Sequence, residues 1–315
     1  MKRRKFIQKN TGFLASLPLI PVNPLILFNG MEEAIFKYTI GRFECTLFKD
    51  LMFTYQAKDY FINANQKELD DALNRYNLSP ESIPSPYIAM LLQDGNRNIL
   101  IDSGIGFSEN PIVFKGKTFV LKGRLRQLLA KENIHPGDIT DVIITHFHPD
   151  HIGGLYTGEG SLVFSNAQFH MRQNEWDFWH SPKADSQPPL FHYFIKKNIT
   201  PLKNGSLNLI TKDNVQLYEG ITALETPGHT PGQLALVIEG KLLYISDAFL
   251  HPLHMEHLDW RTSYDLDHEK SRKTRVKLLE LAHTEGMRIH AFHFDFPGLG
   301  FAEKYKQGWK WVFDG

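Results

Sequence analysis

Cysteine is almost absent: Cys45 is the only one in 315 residues. That excludes an intramolecular disulfide and a cysteine-rich zinc site. In the alternating stretch Phe43-Glu44-Cys45-Thr46-Leu47, a lone cysteine reads as a small buried hydrophobe. An excess of one charge is absent too, because Lys+Arg and Asp+Glu both number 35. A general nucleic-acid binder normally carries a basic excess, so that class is disfavoured. The apolar stretch from Gly12 to Leu27 is broken by Pro18, Pro21 and Pro24. It is too short and too interrupted for a stable membrane-spanning helix. No internal repeat or low-complexity tract stands out. What remains is 42% apolar residues, enough for the core of one two-layered α/β domain.

The chain opens Met1-Lys2-Arg3-Arg4-Lys5-Phe6-Ile7-Gln8-Lys9. Paired arginines followed by x-Phe-Ile-x-Lys resemble a bacterial twin-arginine export signal. Residues 1–33 are therefore set apart as a signal segment and 34–315 as the folded domain. The expected location is periplasmic or exported, with transient membrane contact through the signal alone. No clean small-x-small cleavage site is visible, so removal and retention both stay open.

Strand-like and helix-like runs alternate over the rest. Tyr87–Leu92, the turn at Asp94-Gly95-Asn96 and Asn98–Ile101 read as a β-hairpin. Val142–Ile144, Ile221–Leu224, Leu234–Ile238, Leu242–Ile245 and Ile289–Phe292 are further strands. A capping-box pattern at Asn65–Glu68 opens one helix. Leu121, Leu125, Leu128 and Leu129 mark a second, and a third runs from near Asp267 to a C-cap at Gly286. The aromatic, proline-containing stretch 176–205 reads as a long loop or short helices.

Histidine is plentiful, at 15, so position must decide which of them bind anything. In His146-Phe147-His148-Pro149-Asp150-His151, His146 and His148 share one side of an extended segment. Pro149 keeps His148 out of the helical region and turns the chain, freeing Asp150 and His151 to face a neighbouring metal. Gly153 and Gly154 let backbone pass close by. Such a run has little purpose without metal, because buried unpaired polar groups are costly. His229, Asp247, His293 and Asp102 likewise follow strand-like runs, where the active sites of sheet proteins collect.

The H-x-H-x-D-H run, followed in order by Gly228-His229-Thr230-Pro231-Gly232, Ser246-Asp247 and His293-Phe294-Asp295-Phe296-Pro297-Gly298, resembles the metallo-β-lactamase superfamily. The resemblance spans most of residues 36–300. It implies an αββα sandwich: two mixed sheets face to face, helices outside, and a metal site at the strand ends. It also implies two Zn²⁺ per chain. His146, His148 and His229 would hold one, Asp150, His151 and His293 the other, and Asp247 would bridge both. Asp102 would support the ligand loops. The implied chemistry is attack of a bridging hydroxide on an ester, lactone or phosphotriester. Asp247 and Asp150 are the catalytic carboxylates, Asp150 also moving a proton to or from the leaving group.

The branches of the superfamily differ at telling positions. β-Lactamases generally lack the bridging Asp, and one class uses a Cys ligand. Asp247 and the remote Cys45 argue against them, and His148 argues against flavo-di-iron proteins. The region after Asp247 looks most like the lactonase and methyl-parathion-hydrolase-like branch. Lactonases place a substrate-holding tyrosine three residues past the bridging Asp, where this chain has Leu250. That departure tilts the expectation toward organophosphate hydrolysis. An acyl-homoserine-lactone lactonase and an iron-dependent redox member, similar to persulfide dioxygenases, stay as alternatives. The expected partner is a small molecule, not nucleic acid, and a homodimer is left open. His290 is the reserve ligand for His293. His251, His254 and His257 read equally as rim or pocket residues. Arg272 and Arg275 read as a solvated or ion-paired helix face, and Trp176, Phe178 and Trp179 read as core.

Overall fold

A computed structural model describes residues 34–315 apart from Glu109, Lys115, residues 203–205, Gln307 and Gly315. The export-signal expectation for residues 1–33 lies outside the described residues. The first sheet starts with β1 (Ile35–Ile40), β2 (Phe43–Tyr55), β3 (Ile83–Gln93) and β4 (Asn98–Ile101), paired antiparallel in that order. A separate small hairpin follows, β5 (Ile112–Phe114) with β6 (Lys117–Phe119). The first sheet then continues in parallel through β7 (Asp141–Ile143), β8 (Gln168–Arg172) and β9 (Leu207–Ile210).

The second sheet follows chain order: β10 (Val215–Tyr218), β11 (Ile221–Glu225), β12 (Leu234–Ile238), β13 (Leu242–Tyr244), β14 (Arg288–His290), β15 (Leu299–Tyr305) and β16 (Gly308–Phe313). Its one parallel pair, β13 with β14, is joined through the longest described helix, His268–Thr284. A parallel neighbour needs such a crossover.

Burial shows why two layers form. On β12, Leu234, Leu236 and Ile238 enter the core shared with the first sheet, while Ala235 enters the cluster containing Leu278, Leu279 and Ala282 of the crossover helix. On β13, Leu242 and Tyr244 face the shared core and Leu243 the helix side. Side chains alternate with period two, so strands apolar at every position are covered on both faces. Helices against the outer faces complete the αββα sandwich.

The helices are α1 (Ala57–Tyr60), α2 (Gln66–Arg75), α3 (Leu125–Lys131), α4 (Pro149–Ile152), α5 (Gln173–Trp179), α6 (Pro189–Asn198), α7 (Leu253–Glu256) and α8 (His268–Thr284). Asn65 caps α2, accepting from the Lys67 and Glu68 amides. Asp267 caps α8, and Gly286 closes it at φ +62°. The stretch 176–205 contains the end of α5, a 3₁₀ turn and α6, as the short-helix expectation had it. One boundary differs. Leu121 lies outside α3, because the buried carboxylate of Asp50 accepts from the Leu125 amide at 2.7 Å and starts the helix there. Gly123 fits between Asp50 and the Gly106 carbonyl only because it has no Cβ.

Gly153 and Gly154 make the close approach expected of them. A Cβ on Gly153 would sit 2.0 Å from the Ile105 carbonyl oxygen, and one on Gly154 2.0 Å from that of Ser103. The loop after β4 and the end of α4 are thus in backbone contact. Gly154→Ala must push these loops apart and is expected to cost about 1–3 kcal/mol, the usual cost of overpacking. A urea midpoint equal to wild type would show that the contact yields freely.

Candidate metal centre

β7 delivers its chain in an extended form through His146 to His148, whose φ and ψ are −71° and 154°. Pro149 then begins α4, which carries Asp150 and His151. His229 sits in the loop from β11 to β12, Asp247 just after β13 and His293 just after β14. Strand order therefore brings these loops to one end of the sandwich. His146, His148, His229 and Asp247 form one group of converging ligand atoms, all within 4.8 Å of one another, and Asp150, His151, Asp247 and His293 form a second. All seven residues are buried. His290 belongs to neither group; its ring stacks on Tyr244 at 5.0 Å.

Asp247 is the common member. Its Oδ2 lies 3.4 Å from His229 Nε2, 3.8 Å from His146 Nε2 and 3.0 Å from His293 Nε2, and its Oδ1 lies 3.2 Å from His151 Nε2. Burial opposes its ionisation, but His293 and His151 hold its carboxyl well below the usual range. His151 is pushed well above the ordinary imidazole value, because Asp247, Asp102 and Asp150 outweigh its burial. Burial and neighbouring imidazoles hold His146 and His148 well below it. Burial raises Asp150.

Partners outside each group fix which ring nitrogen faces inward. His151 Nδ1 lies 2.8 Å from Asp102 Oδ2, and His229 Nδ1 lies 3.0 Å from Asp265 Oδ1. A carboxylate only accepts, so each Nδ1 donates and leaves an Nε2 lone pair toward Asp247. His293 Nδ1 lies 2.9 Å from Ser85 Oγ and 3.3 Å from the Pro86 carbonyl, which gives the same tautomer. Asp102 also accepts from the Thr145 amide and from Tyr244, at 2.8 and 3.0 Å. It therefore ties β13 to the start of the histidine run.

The inward atoms fit a metal. His146 Nε2, His151 Nε2 and Asp247 Oδ1 are buried and make no hydrogen bond. His148 Nδ1 and His229 Nε2 face each other at 2.9 Å, a contact that needs a proton or a cation between them. Unsatisfied donor atoms at such density are expensive unless a cation takes their lone pairs. Imidazole nitrogens and carboxylate oxygens are the donors that zinc accepts.

A cleft opens over the two groups. His148, Asp150, His229, Asp247 and His293 line its floor, and its walls include Tyr55, Tyr60, Tyr87, Tyr264, Leu250, Phe191 and Phe194. Against the family model of the metallo-beta-lactamase superfamily, residues 85–293 match. The chain belongs to the metallo-beta-lactamase superfamily. An N-acyl homoserine lactonase from a Bacillus species is 29% identical over 208 residues, covering 61% of this chain and 75% of the relative. The solved structure of AidC, a dizinc quorum-quenching lactonase, superposes with a TM-score of 0.76 at 25% identity, covering 90% of this chain and 98% of that one. The hydrolase AbOPH of the beta-lactamase superfamily reaches the same TM-score at 24% identity over 89% and 97%, which shows the shared fold. These relatives put the chain in the lactonase-like branch of the superfamily. With its two ligand groups, it is a metal-dependent hydrolase.

The histidines after Asp247 and the buried Arg275 behave differently from their sequence reading, while Arg272 and Trp179 follow theirs. His251 and His254 are buried away from the cleft, His251 against Phe61 and Tyr76 and His254 bonded to the Tyr60 carbonyl. His257 stacks on Trp260 at 3.9 Å. None of the three lines the cleft: His251 and His254 are buried packing residues, and His257 is half-buried near the surface. Arg275 is ion-paired but fully buried, while Arg272 pairs with Asp259 at the surface. Trp179 is core, with its indole N–H on Glu175. The residues missed altogether are Asp265, Glu175, Ser85 and the cleft tyrosines. Nothing in their local sequence spacing marks them.

Proposed function

We propose that this protein is a two-zinc hydrolase that opens lactones carrying an apolar tail. The observation that carries this reading is the cleft itself: a floor of converging ligands under aromatic and aliphatic walls. A substrate shaped to it has one hydrolysable polar head and an apolar body. His146, His148 and His229 would hold one ion and Asp150, His151 and His293 the other, with Asp247 shared by the two groups. When bound, the pair supplies Lewis acidity and lowers the pKa of water toward about 7.

The chain's own residues do the rest. Asp247 sets the spacing of the two groups. Asp102 and Asp265 hold the rings of His151 and His229 in one tautomer and orientation. Asp150 is the most exposed of the seven ligands, at 8%, and it lies on the cleft floor. It is placed to deliver a proton to the leaving oxygen. The aromatic walls keep water from the tail.

A second reading, phosphotriester hydrolysis, is favoured by Leu250 at the cleft wall, where lactonases carry tyrosine. A panel of acyl-homoserine lactones, carboxyl esters and phosphotriesters, tested on zinc-loaded protein, separates the two. Lactones with alkyl tails are expected to give the highest kcat/KM. Phosphotriester turnover without lactone opening would replace the first reading by the second. One equivalent of iron with oxygen consumption would replace both with redox chemistry.

The amino-terminal Arg3-Arg4 motif supports export by the twin-arginine route. Replacing both with lysine is expected to keep the protein in the cytoplasmic fraction of a bacterial host. Unchanged periplasmic recovery would remove the export reading.

A further inference from the structure

Glu175 is buried to 1% exposure on the first turn of α5. A carboxylate so far from water is costly unless donors surround it. Here Oε1 accepts from the Phe147 amide at 3.0 Å and the Trp179 indole N–H at 2.7 Å. Oε2 accepts from the Gly232 amide at 2.8 Å. Phe147 lies between His146 and His148, and Gly232 lies three residues past His229. One carboxylate thus joins the two separate loops that bring these three histidines together. The packing is built for this contact: a Cβ on Gly232 would lie 2.3 Å from the Glu175 amide nitrogen and 2.6 Å from its Cβ. Only glycine lets the His229 loop approach α5 so closely.

We infer that Glu175 is a positioning residue for the first metal group, fixing the separation of the His146–His148 and His229 loops from behind. It lies outside both groups of converging ligand atoms, and it acts through backbone amides. The inference rests on the reading that His146, His148 and His229 hold a metal. Charge-assisted bonds from rigid amides give directional control that packing alone does not. Asp102 and Asp265 orient individual rings; Glu175 sets the distance between loops. It bonds the histidine run at Phe147, between two ligands of the first group, and makes no bond to Asp150, His151 or the His293 loop among the described residues, so its effect is expected to fall chiefly on the first metal.

E175Q is nearly isosteric but replaces one acceptor oxygen with a donor NH₂. Whichever way the amide turns, that NH₂ meets an N–H, because both oxygens are already accepting. The test titrates zinc against a chromogenic chelator, with urea unfolding of the chelated proteins in parallel. Wild type is expected to hold two equivalents. E175Q is expected to hold one as tightly as wild type and the other about 10- to 100-fold more weakly, the usual cost of losing a partner behind a ligand. Its activity should return with excess zinc. E175D keeps the charge but is too short to reach both loops, and it is expected to show the same selective loss, which covers a failure of E175Q to fold. Two equivalents at wild-type affinity in the variants would overturn the inference. So would equal weakening of both equivalents together with a lower urea midpoint, which would make Glu175 a fold residue only. Wild type holding fewer than two equivalents would instead bring down the two-metal reading itself.

Discussion

Asp247→Ala is expected to lose both metals and hydrolytic activity together. Asp247 is the only residue common to the two ligand groups. Its two oxygens lie within 3.0–3.8 Å of four imidazole nitrogens. Alanine leaves the inward nitrogens of His146 and His229 with no carboxylate beside them and leaves those of His151 and His293 with Asp150 alone. A cation bound there would lose its shared anionic ligand, and the two groups would lose the element that sets their spacing. The loss should exceed the roughly 10- to 100-fold that removal of an outer partner costs. Asp247→Asn keeps the shape and removes the charge, so it separates charge from packing. Metal content by elemental analysis and kcat/KM on the best lactone are the readouts. A fully active Asp247→Ala protein would refute the bridged assignment. Retention of two metals with lost activity would instead limit Asp247 to the chemical step.

The seven converging residues were legible because each follows a strand whose apolar run is plain in the sequence. β7, β11, β13 and β14 are buried on both faces or nearly so. A histidine or aspartate directly after such a run stands out. Short-range chemistry was legible as well: Pro149 opening a turn after His148, the Asn65 cap, Gly286 at positive φ. The partners behind the ligands were not. Asp265 meets His229 across 36 residues, and Glu175 meets Gly232 across 57. Neither contact leaves a periodicity, because each is made by a single side chain after the fold is assembled. The misplaced start of α3 has the same origin. Leucine spacing extends the pattern back to Leu121, but Asp50, from the distant β2, decides where the helix begins. Leu250 is one position of the cleft wall, and the tyrosines of β2, β3, α1 and the segment before α8 gather beside it only in the folded chain.

Arg275→Ala is expected to be among the most destabilising substitutions in the chain. Arg275 was legible only as a charge on a helix, yet it is 1% exposed. Its three guanidinium nitrogens donate to the Ala248 carbonyl at 2.8 Å, the Trp260 carbonyl at 2.9 Å and Asp265 Oδ2 at 2.8 Å. One planar group thus ties the segment just after Asp247 to the segment before α8. Alanine would strand two carbonyls and the buried Asp265 carboxylate, whose ionised state Arg275 and His229 sustain against burial. Removing one member of a buried ion pair costs about 3–5 kcal/mol. At roughly 2–4 °C per kcal/mol for a domain of this size, Tm should fall by roughly 6–20 °C. Arg275→Lys should recover little, since an ammonium cannot reproduce the planar fork that meets three acceptors. The measurement belongs on chelated protein, where the loss is read without the metal. A second titration with zinc then reports whether His229, left on an unpaired Asp265, still binds. A chelated Arg275→Ala protein melting within a degree of wild type would mean that water enters and solvates Asp265. The buried network would then orient His229 without holding the fold together.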